Sequence, residues 1–216
     1  MKIAVLGGTG KIGFGLAMRW ARAGEHVTIG SRAAEKAATA AAEATEKAGA
    51  TVHGAANRDA ASAADVVVLA VPYEAQAGTL ADVKDAVQGK LFITAVNPVD
   101  PARLHVAILP PEGSATEQAQ RQLGAGVKVV AAFQTVPSFV AREFKIPYEG
   151  DVLVCGDDAG AKEATRALVE KAGFRAFDAG PIANAYVVEG LVSLSLAIKK
   201  VHPLKRLGFR VVGAPT

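Results

Sequence analysis

Short apolar runs alternate with longer Ala-rich amphipathic stretches along the chain. The runs are rich in Val, Ile and Leu, and alternation of this kind is typical of parallel strands joined by helical crossovers. Seven runs are predicted as strands, at residues 2–7, 26–31, 65–72, 90–96, 128–133, 151–156 and 174–180. The pattern predicts an α/β fold built on a doubly wound, Rossmann-type parallel sheet of seven or eight strands.

The second half of the chain predicts two further helices. Asp158 is suited to cap the first of them, and Gly173 to end it in a left-handed conformation. A final long helix is predicted from Ile182 to Lys200. Because Glu189 interrupts its apolar run, which falls short of the ~20 residues needed to cross a bilayer, we expect no membrane span.

These elements predict two parts of unequal size. Residues 1–180 are expected to form a nucleotide-binding domain of the Rossmann type, and residues 181–216 a C-terminal helical segment. A chain of 216 residues, half of them hydrophobic, suits one such domain with a small appendage.

Three glycines follow the first predicted strand in the pattern G-x-G-x-x-G. They are Gly8, Gly10 and Gly13, and a helical stretch follows them directly. In this context one glycine permits a tight turn, the second lets backbone N–H groups approach a pyrophosphate, and the third lets helix and strand pack closely. The pattern therefore predicts a dinucleotide site at the head of the first helix.

The end of the second strand indicates which dinucleotide is bound. An NAD enzyme places Asp or Glu there to bind the ribose 2′-OH. This chain has Ser31 and Arg32 instead, with Lys36 one helical turn later. Because a hydroxyl, a guanidinium and an ammonium group attract a 2′-phosphate that a carboxylate would repel, we expect NADP(H) as the cofactor.

Charge and cysteine content narrow the cellular setting. Cys155 is the only cysteine, which favours a cytoplasmic protein without disulfides, and its apolar neighbours suggest a buried side chain without a chemical role. From Pro181 onward five Lys and Arg residues stand against Glu189 alone, although the whole chain carries a net charge of only +3. Since no aromatic residue lies between the basic residues Lys199, Lys200, Lys205 and Arg206, we expect no nucleic-acid partner. The four His residues share no metal-binding spacing, so no metal site is expected.

Two familiar reductase classes are excluded by the sequence. A short-chain dehydrogenase needs a Tyr-x-x-x-Lys pair, but Tyr73, Tyr148 and Tyr186 are followed four residues later by Ala, Val and Gly. An imine or β-hydroxyacid reductase needs a helical domain of a hundred or more residues after the nucleotide domain, for which the chain is too short.

Seven short motifs occur in a fixed order. They are GGTGKIGFGLA at 7–17, GSR at 30–32 with Lys36 after it, VPYE at 71–74, QTVP at 134–137, VCGDD at 154–158, DAGP at 178–181 and LGF at 207–209. Together they resemble the NADPH-dependent reductases of coenzyme F420, a deazaflavin. The similarity covers essentially the whole chain, and CGDD followed by DAGP is not a general Rossmann feature.

The resemblance implies direct hydride transfer between the nicotinamide ring of NADP(H) and the deazaflavin ring of F420. Both substrates are hydride carriers, so no catalytic acid or base is expected and the protein has to stack the rings. A homodimer and a C-terminal segment that completes the hydride-transfer pocket are implied as well. The implied contacts are Thr9, Gly10, Lys11 and Ile12 with the pyrophosphate; Ser31, Arg32 and Lys36 with the 2′-phosphate; Tyr73, Asn97 and Ser138 with the nicotinamide half; and Val136, Pro137 and Leu207 with the deazaflavin.

The residues leave three questions open. An NADPH-dependent reductase of flavins or ferric chelates, or a non-enzymatic NADP-binding redox sensor, would use the same βαβ unit. The basic C-terminal residues Lys199, Lys200, Lys205 and Arg206 could attract the acidic tail of F420 or form a solvated helix end. Tyr73 and Asn97 follow predicted strands, where ligands bind, but ordinary loop residues would have the same spacing.

Overall fold

The structure is a computed structural model that describes residues 1–145 and 147–213. Within these residues eight strands alternate with eight α-helices. The strands are β1 (Lys2–Leu6), β2 (His26–Ser31), β3 (Val52–Ala56), β4 (Val66–Leu69), β5 (Leu91–Thr94), β6 (Lys128–Ala131), β7 (Asp151–Val154) and β8 (Arg175–Asp178). The helices are α1 (Lys11–Arg22), α2 (Ala34–Ala48), α3 (Asn57–Ala63), α4 (Tyr73–Val83), α5 (Ala115–Leu123), α6 (Ser138–Arg142), α7 (Ala159–Lys171) and α8 (Ala185–Val201).

Six strands form the main sheet in the order β3-β2-β1-β4-β5-β6, with every neighbouring pair parallel. The strand order reverses between β1 and β4, where ligands bind in doubly wound sheets. The predicted fold class is confirmed. β3 and α3 were not predicted, since the run VHGAA contains His53 and Gly54 and leaves both exposed.

The expectation of one continuous sheet was wrong, because β7 and β8 form a separate parallel pair. A single antiparallel bridge joins this pair to the main sheet: Ala131 and Cys155 exchange backbone hydrogen bonds of 2.8 and 3.2 Å. The chain reverses direction after β6. Among the described residues, this bridge is the only strand pairing between the two sheets.

The buried face around α1 is aromatic. Trp20 is fully buried, and its indole N–H donates to the carbonyl of Leu168 on α7 at 2.8 Å. Its ring meets Phe133 edge to face at 5.6 Å, and Phe133 meets Phe174 at 6.5 Å. This cluster packs the β7–β8 unit against the first helix of the main domain, as the interpretation of Trp20 as a packing residue predicted.

The short helix α6 rests directly on α1. A Cβ added to Gly15 would lie 2.7 Å from atoms of Ala141, so the two backbones touch. The Arg19 guanidinium donates to the carbonyls of Val140, Ala141 and Glu143 at 2.7 to 2.9 Å. These contacts fix the segment that follows β6.

The last helix docks on α5 through a buried charge. The Glu189 carboxylate, 1% exposed, accepts hydrogen bonds from the backbone N–H groups of Ala115 and Thr116 at 2.8 and 3.0 Å and from the Thr116 hydroxyl at 2.7 Å. Burial raises the pKa of Glu189 to about 7, although these hydrogen bonds lower it. Glu189 therefore fastens α8 to the N-terminus of α5.

Residues Ile182–Val201 include a short 3₁₀ turn followed by α8. By length and mean hydropathy (1.3) alone this segment is long and apolar enough to cross a membrane, contrary to the expectation that it falls short, and 22% of the apolar window is buried within the chain. The remaining apolar surface leaves an exposed stripe on α8.

Candidate active site

A tight glycine turn connects β1 to α1. Gly7 has a left-handed backbone (φ +80°), and a Cβ there would lie 2.7 Å from the carbonyl oxygen of Ala70. A Cβ at Gly13 would lie 2.8 Å from the carbonyl oxygen of Gly7. Only glycine fits at these two positions, so the turn lies flat against β4 and the N-terminal N–H groups of α1 open into a cleft.

This first cleft, here called the phosphate cleft, has a volume of about 500 Å³. The predicted residues Thr9, Gly10, Ser31, Arg32 and Lys36 all line it. Its lining contains no Asp or Glu. The cleft thus joins backbone N–H groups to two cations, which is the chemistry that a dinucleotide with a 2′-phosphate requires.

A second cleft of about 340 Å³, here called the ring cleft, is lined by Ile12 of the same turn and by loops after β5 and β6. The structure brings six predicted residues together in it: Ile12, Asn97, Val136, Pro137, Ser138 and Leu207. Most of the lining is apolar or uncharged, and Lys199 is its one ionisable side chain. The ring cleft is therefore suited to bind planar rings.

Two predicted site residues lie outside both clefts. Lys11 begins α1 with an exposed side chain and is absent from the lining of either cleft. Tyr73 begins α4 and packs against the hydrophobic cluster between the sheet and that helix. Burial, with the nearby carboxylates of Glu112 and Glu189, raises the pKa of Tyr73.

One wall of the ring cleft comes from α8, in the C-terminal segment that was expected to complete this pocket, but the residues of α8 that line it were not assigned to the pocket. Its residues share one helix face and recur at intervals of three and four, namely Val192, Ser195, Leu196 and Lys199. The helical periodicity of the sequence contains this signal. Leu207 reaches the cleft because the chain after α8 returns to β7, where Asp151 N–H donates to the carbonyl of Phe209 at 2.7 Å.

Phe133, which lines the ring cleft, has a strained backbone. Phe133 has φ +73°, a left-handed value that is a genuine outlier for a bulky side chain. Its ring is held in the aromatic cluster with Trp20 and Phe174. Strained backbone of this kind persists only where the surroundings determine it, and it concentrates at functional sites.

Two residues with side-chain amides, Asn97 and Gln134, line the ring cleft together with Phe133. Gln134 is 4% exposed, and its amide nitrogen donates to the carbonyl of Thr94 at 2.8 Å. The amide nitrogen of Asn97 donates to the carbonyl of Gln134 at 3.3 Å. The oxygens Asn97 Oδ1 and Gln134 Oε1 are buried and accept no hydrogen bond from any described residue.

The chain's one thiol lies away from both clefts. Cys155 is fully buried at the bridge between the two sheets, and burial, together with the nearby Asp178, raises its pKa to about 11. This agrees with its interpretation as a small buried hydrophobe. Asp158 caps α7 through a 2.7 Å hydrogen bond from Ala161 N–H, and Gly173 after the helix is left-handed, as predicted.

Similarity to known proteins agrees with this geometry. A family described as "NADP oxidoreductase coenzyme F420-dependent" matches residues 2–98. The F420-dependent NADP reductase of Methanothermobacter thermautotrophicus is 43% identical to this chain over 225 residues, which span all of this chain and 96% of that protein. The chain belongs to the family of F420-dependent NADP reductases. The relative of the same name from Methanocaldococcus jannaschii is 38% identical over 98% of both chains.

The three-dimensional structure is also similar to that of a solved protein described as a member of this family. It is described as a candidate F420-dependent NADP-reductase from Arthrobacter sp. FB24 and is 28% identical to this chain. The two superpose with a TM-score of 0.83, over 99% of this chain and all of the other. The fold that joins the two clefts is therefore found in a second protein along its entire length.

Proposed function

We propose that this protein is an enzyme that transfers a hydride between NADP(H) and the deazaflavin coenzyme F420. The observation on which the proposal rests is the pair of clefts: a cationic phosphate cleft lined by Thr9 and Gly10 lies beside a largely apolar ring cleft lined by Ile12. When bound together, the nicotinamide and deazaflavin rings supply the hydride donor and acceptor. The full-length relatives carry the name of this activity.

The residues of the chain supply binding and orientation. Thr9 and Gly10 present the turn to the pyrophosphate, while Ser31, Arg32 and Lys36 bind the 2′-phosphate. Ile12, Val136, Pro137 and Leu207, which line the ring cleft, border the rings. Because the walls are apolar, they exclude water and keep the rings at contact distance.

The division into residues 1–180 and 181–216 belongs to the same proposal. The first part contains the phosphate cleft, and the second contributes one wall of the ring cleft through α8 and Leu207. We infer that the C-terminal segment completes the pocket of the nucleotide-binding domain.

A basic cavity next to the ring cleft suits the acidic tail of F420. The cavity has a volume of about 540 Å³ and includes Lys199, Lys205 and Arg206, and it shares Phe139 and Lys199 with the ring cleft. A ligand in the ring cleft can therefore extend a negatively charged chain past these cations. Lys200 is exposed and does not line this cavity.

We propose that two copies of the chain associate through α8. Val187, Leu194 and Val201 are 49%, 50% and 75% exposed and recur at intervals of seven, which places them on one stripe of the helix. Apolar heptad spacing favours helix pairing, and two-fold association places the same stripe on both sides of an interface. Light scattering coupled to size exclusion should give twice the mass of the chain for the wild type and the mass of one chain for Leu194→Glu.

We also propose a cytoplasmic location for this protein. The one thiol is buried and unable to form an intrachain disulfide, and both substrates of the proposed reaction are soluble small molecules.

The two alternatives are not favoured. A flavin or ferric-chelate reductase predicts turnover with FMN, FAD or ferric chelates, and a redox sensor predicts nucleotide binding without turnover. Relatives that match along their full length are named F420-dependent NADP reductase.

The decisive experiment mixes the purified protein with NADPH and oxidised F420 without oxygen and follows the visible absorbance of F420. Bleaching with NADPH and little or none with NADH is the expected result. Bleaching of FMN or a ferric chelate but not of F420 would contradict the proposal, as would NADPH binding without any turnover.

A further inference from the structure

The part of the ring cleft that is proposed to border F420 is built from two segments far apart in the chain. The turn after β6 contributes Thr135, Val136 and Pro137, and a segment beyond α8 contributes Leu207. Both segments lie outside the helices and strands. Their separation is therefore set by side chains that contact both of them.

Tyr148 makes such a contact with each segment. Its hydroxyl group donates to the carbonyl of Thr135 at 3.0 Å. A Cβ added to Gly208, the residue after Leu207, would lie 2.5 Å from the hydroxyl oxygen of Tyr148 and 2.9 Å from Cζ and Cε2 of its ring. The backbone at Gly208 thus rests on the end of the ring, and one phenol group spans the space between the two segments.

The tyrosine ring has little freedom to move. A Cβ added to Gly150 would lie 2.5 Å from Cζ and 2.9 Å from Cε1, so Gly150 and Gly208 flank opposite edges of the ring. The ring also meets Phe174 edge to face at 5.9 Å. Burial, with the nearby carboxylate of Asp151, raises the pKa of Tyr148 to about 12, so the hydroxyl remains a donor at neutral pH.

The backbone after Leu207 is fastened to β7 beside this ring. Asp151 N–H donates to the carbonyl of Phe209 at 2.7 Å, and the buried Asp151 carboxylate accepts from Val211 N–H at 2.6 Å. These bonds hold the segment to β7, and Tyr148 connects it to the turn after β6.

We propose that Tyr148 is a positioning residue for the binding of F420, which sets the separation between the turn after β6 and the segment at Leu207, and that position 208 must be glycine because its backbone lies against the tyrosine ring. This inference rests on the proposed binding of F420 in the ring cleft. Neither Tyr148 nor Gly208 lines that cleft, so their effect on F420 acts through the walls that they hold. The phosphate cleft is built from other residues, and the affinity for NADP+ should not depend on them.

The test is a double-mutant cycle on the affinity for oxidised F420, measured by isothermal titration calorimetry without nucleotide. Gly208→Ala places a methyl group against the ring and should weaken F420 binding about tenfold, because it displaces Leu207. Tyr148→Leu removes the phenol end and should itself weaken binding several-fold. In the Tyr148→Leu background Gly208→Ala should change the affinity by less than about twofold, because the atoms that the methyl group would meet are gone.

Tyr148→Phe tests the hydrogen bond alone, since it keeps the ring. The variant should bind F420 about three- to tenfold more weakly, as expected for the loss of one hydrogen bond, and should bind NADP+ as the wild type does. Circular dichroism establishes which variants fold, and Tyr148→Phe provides the comparison if the other two variants do not.

Gly126→Ala is the matched control. A Cβ there would also lie 2.5 Å from a side-chain oxygen, Oε1 of Gln88, but neither residue lines either cleft. Its affinity for F420 should equal that of the wild type even if the control is less stable.

Hydrogen exchange of the free protein gives a second readout that needs no ligand. The backbone amides of Asp151 and Val211, which hold the segment after Leu207, should exchange faster in Gly208→Ala and Tyr148→Phe than in the wild type and Gly126→Ala.

The same loss of F420 affinity from Gly208→Ala in both backgrounds would overturn the inference, as would an unchanged affinity in folded Tyr148→Phe or an equal loss for NADP+ and F420. If the wild type reduces F420 but the folded variants bind it equally well, the proposed function stands and the positioning role fails. If the wild type does not bind F420, the proposed function fails, and hydrogen exchange alone decides whether Tyr148 positions the two segments.

Discussion

Arg32 and Lys36 lie in the phosphate cleft, and neither forms an ion pair or hydrogen bond with another described residue. Both stand at the N-terminal end of α2, where the helix dipole disfavours positive charge by up to about 1 kcal/mol. A bound phosphate offsets that cost and satisfies both donors. These residues could be predicted from the sequence because the positions that discriminate between NADP(H) and NAD(H) lie close together in the chain.

Replacing Arg32 and Lys36 together with Ala should raise the KM for NADPH by at least about two orders of magnitude, since the two charge-assisted hydrogen bonds together contribute ~3 to 6 kcal/mol. The KM for NADH should change little, because NADH has no 2′-phosphate. Steady-state kinetics with both nucleotides measures this. Lys47→Ala is the control, since Lys47 lies on the same helix but pairs with Glu43 at 2.5 Å. An unchanged preference for NADPH in the double variant would remove the 2′-phosphate assignment.

Among the elements, α6 is the shortest of the helices and depends most on its neighbours. Its five residues rest on α1 where Gly15 allows backbone contact, and Arg19 holds its carbonyl end. The ring cleft residues Pro137 and Ser138 are at the other end of this helix. The packing of α1 therefore determines where that wall of the cleft lies.

Gly15→Ala should displace α6, because the new Cβ would lie 2.7 Å from Ala141. We expect a several-fold higher KM for F420 and a loss of about 1 to 3 kcal/mol in the free energy of unfolding, as for other overpacked sites. Gly78→Ala, in the interior of α4 with no atom within 4 Å, should instead stabilise the protein by about 0.5 to 1 kcal/mol with unchanged kinetics. Chemical denaturation and F420 titration distinguish them; equal behaviour of the two variants would show that α1 does not position α6.

The stability of the junction between α5 and α8 is expected to depend on pH. The pKa of Glu189 is raised from 4.5 to about 7 in the folded protein, so between these values the folded state binds more protons than the unfolded state. Stability from this group is then greatest at low pH and decreases as the pH rises towards 7. The cause is burial, since the hydrogen bonds to α5 act in the opposite direction.

Comparison with Glu189→Gln isolates this effect. Relative to the variant, the wild type should lose about 3 kcal/mol of unfolding free energy between pH 4.5 and 8, at 1.36 kcal/mol per pKa unit. Urea denaturation at a series of pH values provides the measurement. A difference that grows with pH would mean that the three hydrogen bonds outweigh burial.

Some features of these helices could not be predicted, or were missed, when only the sequence was considered. α5 was not predicted, although Ser114 and Glu117 form a capping box that marks its start: Ser114 Oγ accepts from Glu117 N–H at 2.9 Å. Glu189 was visible only as an interruption of an apolar run, because its partners are 73 and 74 residues away. The hydrogen bond from the Gln134 side chain to the carbonyl of Thr94 likewise joins residues 40 positions apart, which no periodicity reveals.

At the scale of the whole molecule, one fold brings two ligand sites to the same edge of the sheet. The glycine turn lines the phosphate cleft, and Ile12, two residues after Gly10 in the first turn of α1, lines the ring cleft. The ring cleft also needs residues from β5, β6, α8 and the segment at Leu207, far apart in the chain. Local spacing was therefore enough to indicate the phosphate cleft, and family motifs indicated several residues of the ring cleft, whereas Tyr73 and Lys11 line neither cleft.

The burial of Cys155 has a consequence for the order of events in catalysis. A single cysteine enclosed between the two sheets cannot form an intrachain disulfide, so the chain has no sulfur pair that one substrate could reduce and that would keep the electrons after that substrate leaves. Donor and acceptor must then occupy the protein at the same moment. Initial rates measured against NADPH at several fixed F420 concentrations should give intersecting double-reciprocal lines, the pattern of a sequential mechanism, whereas parallel lines would require the enzyme to store the electrons itself.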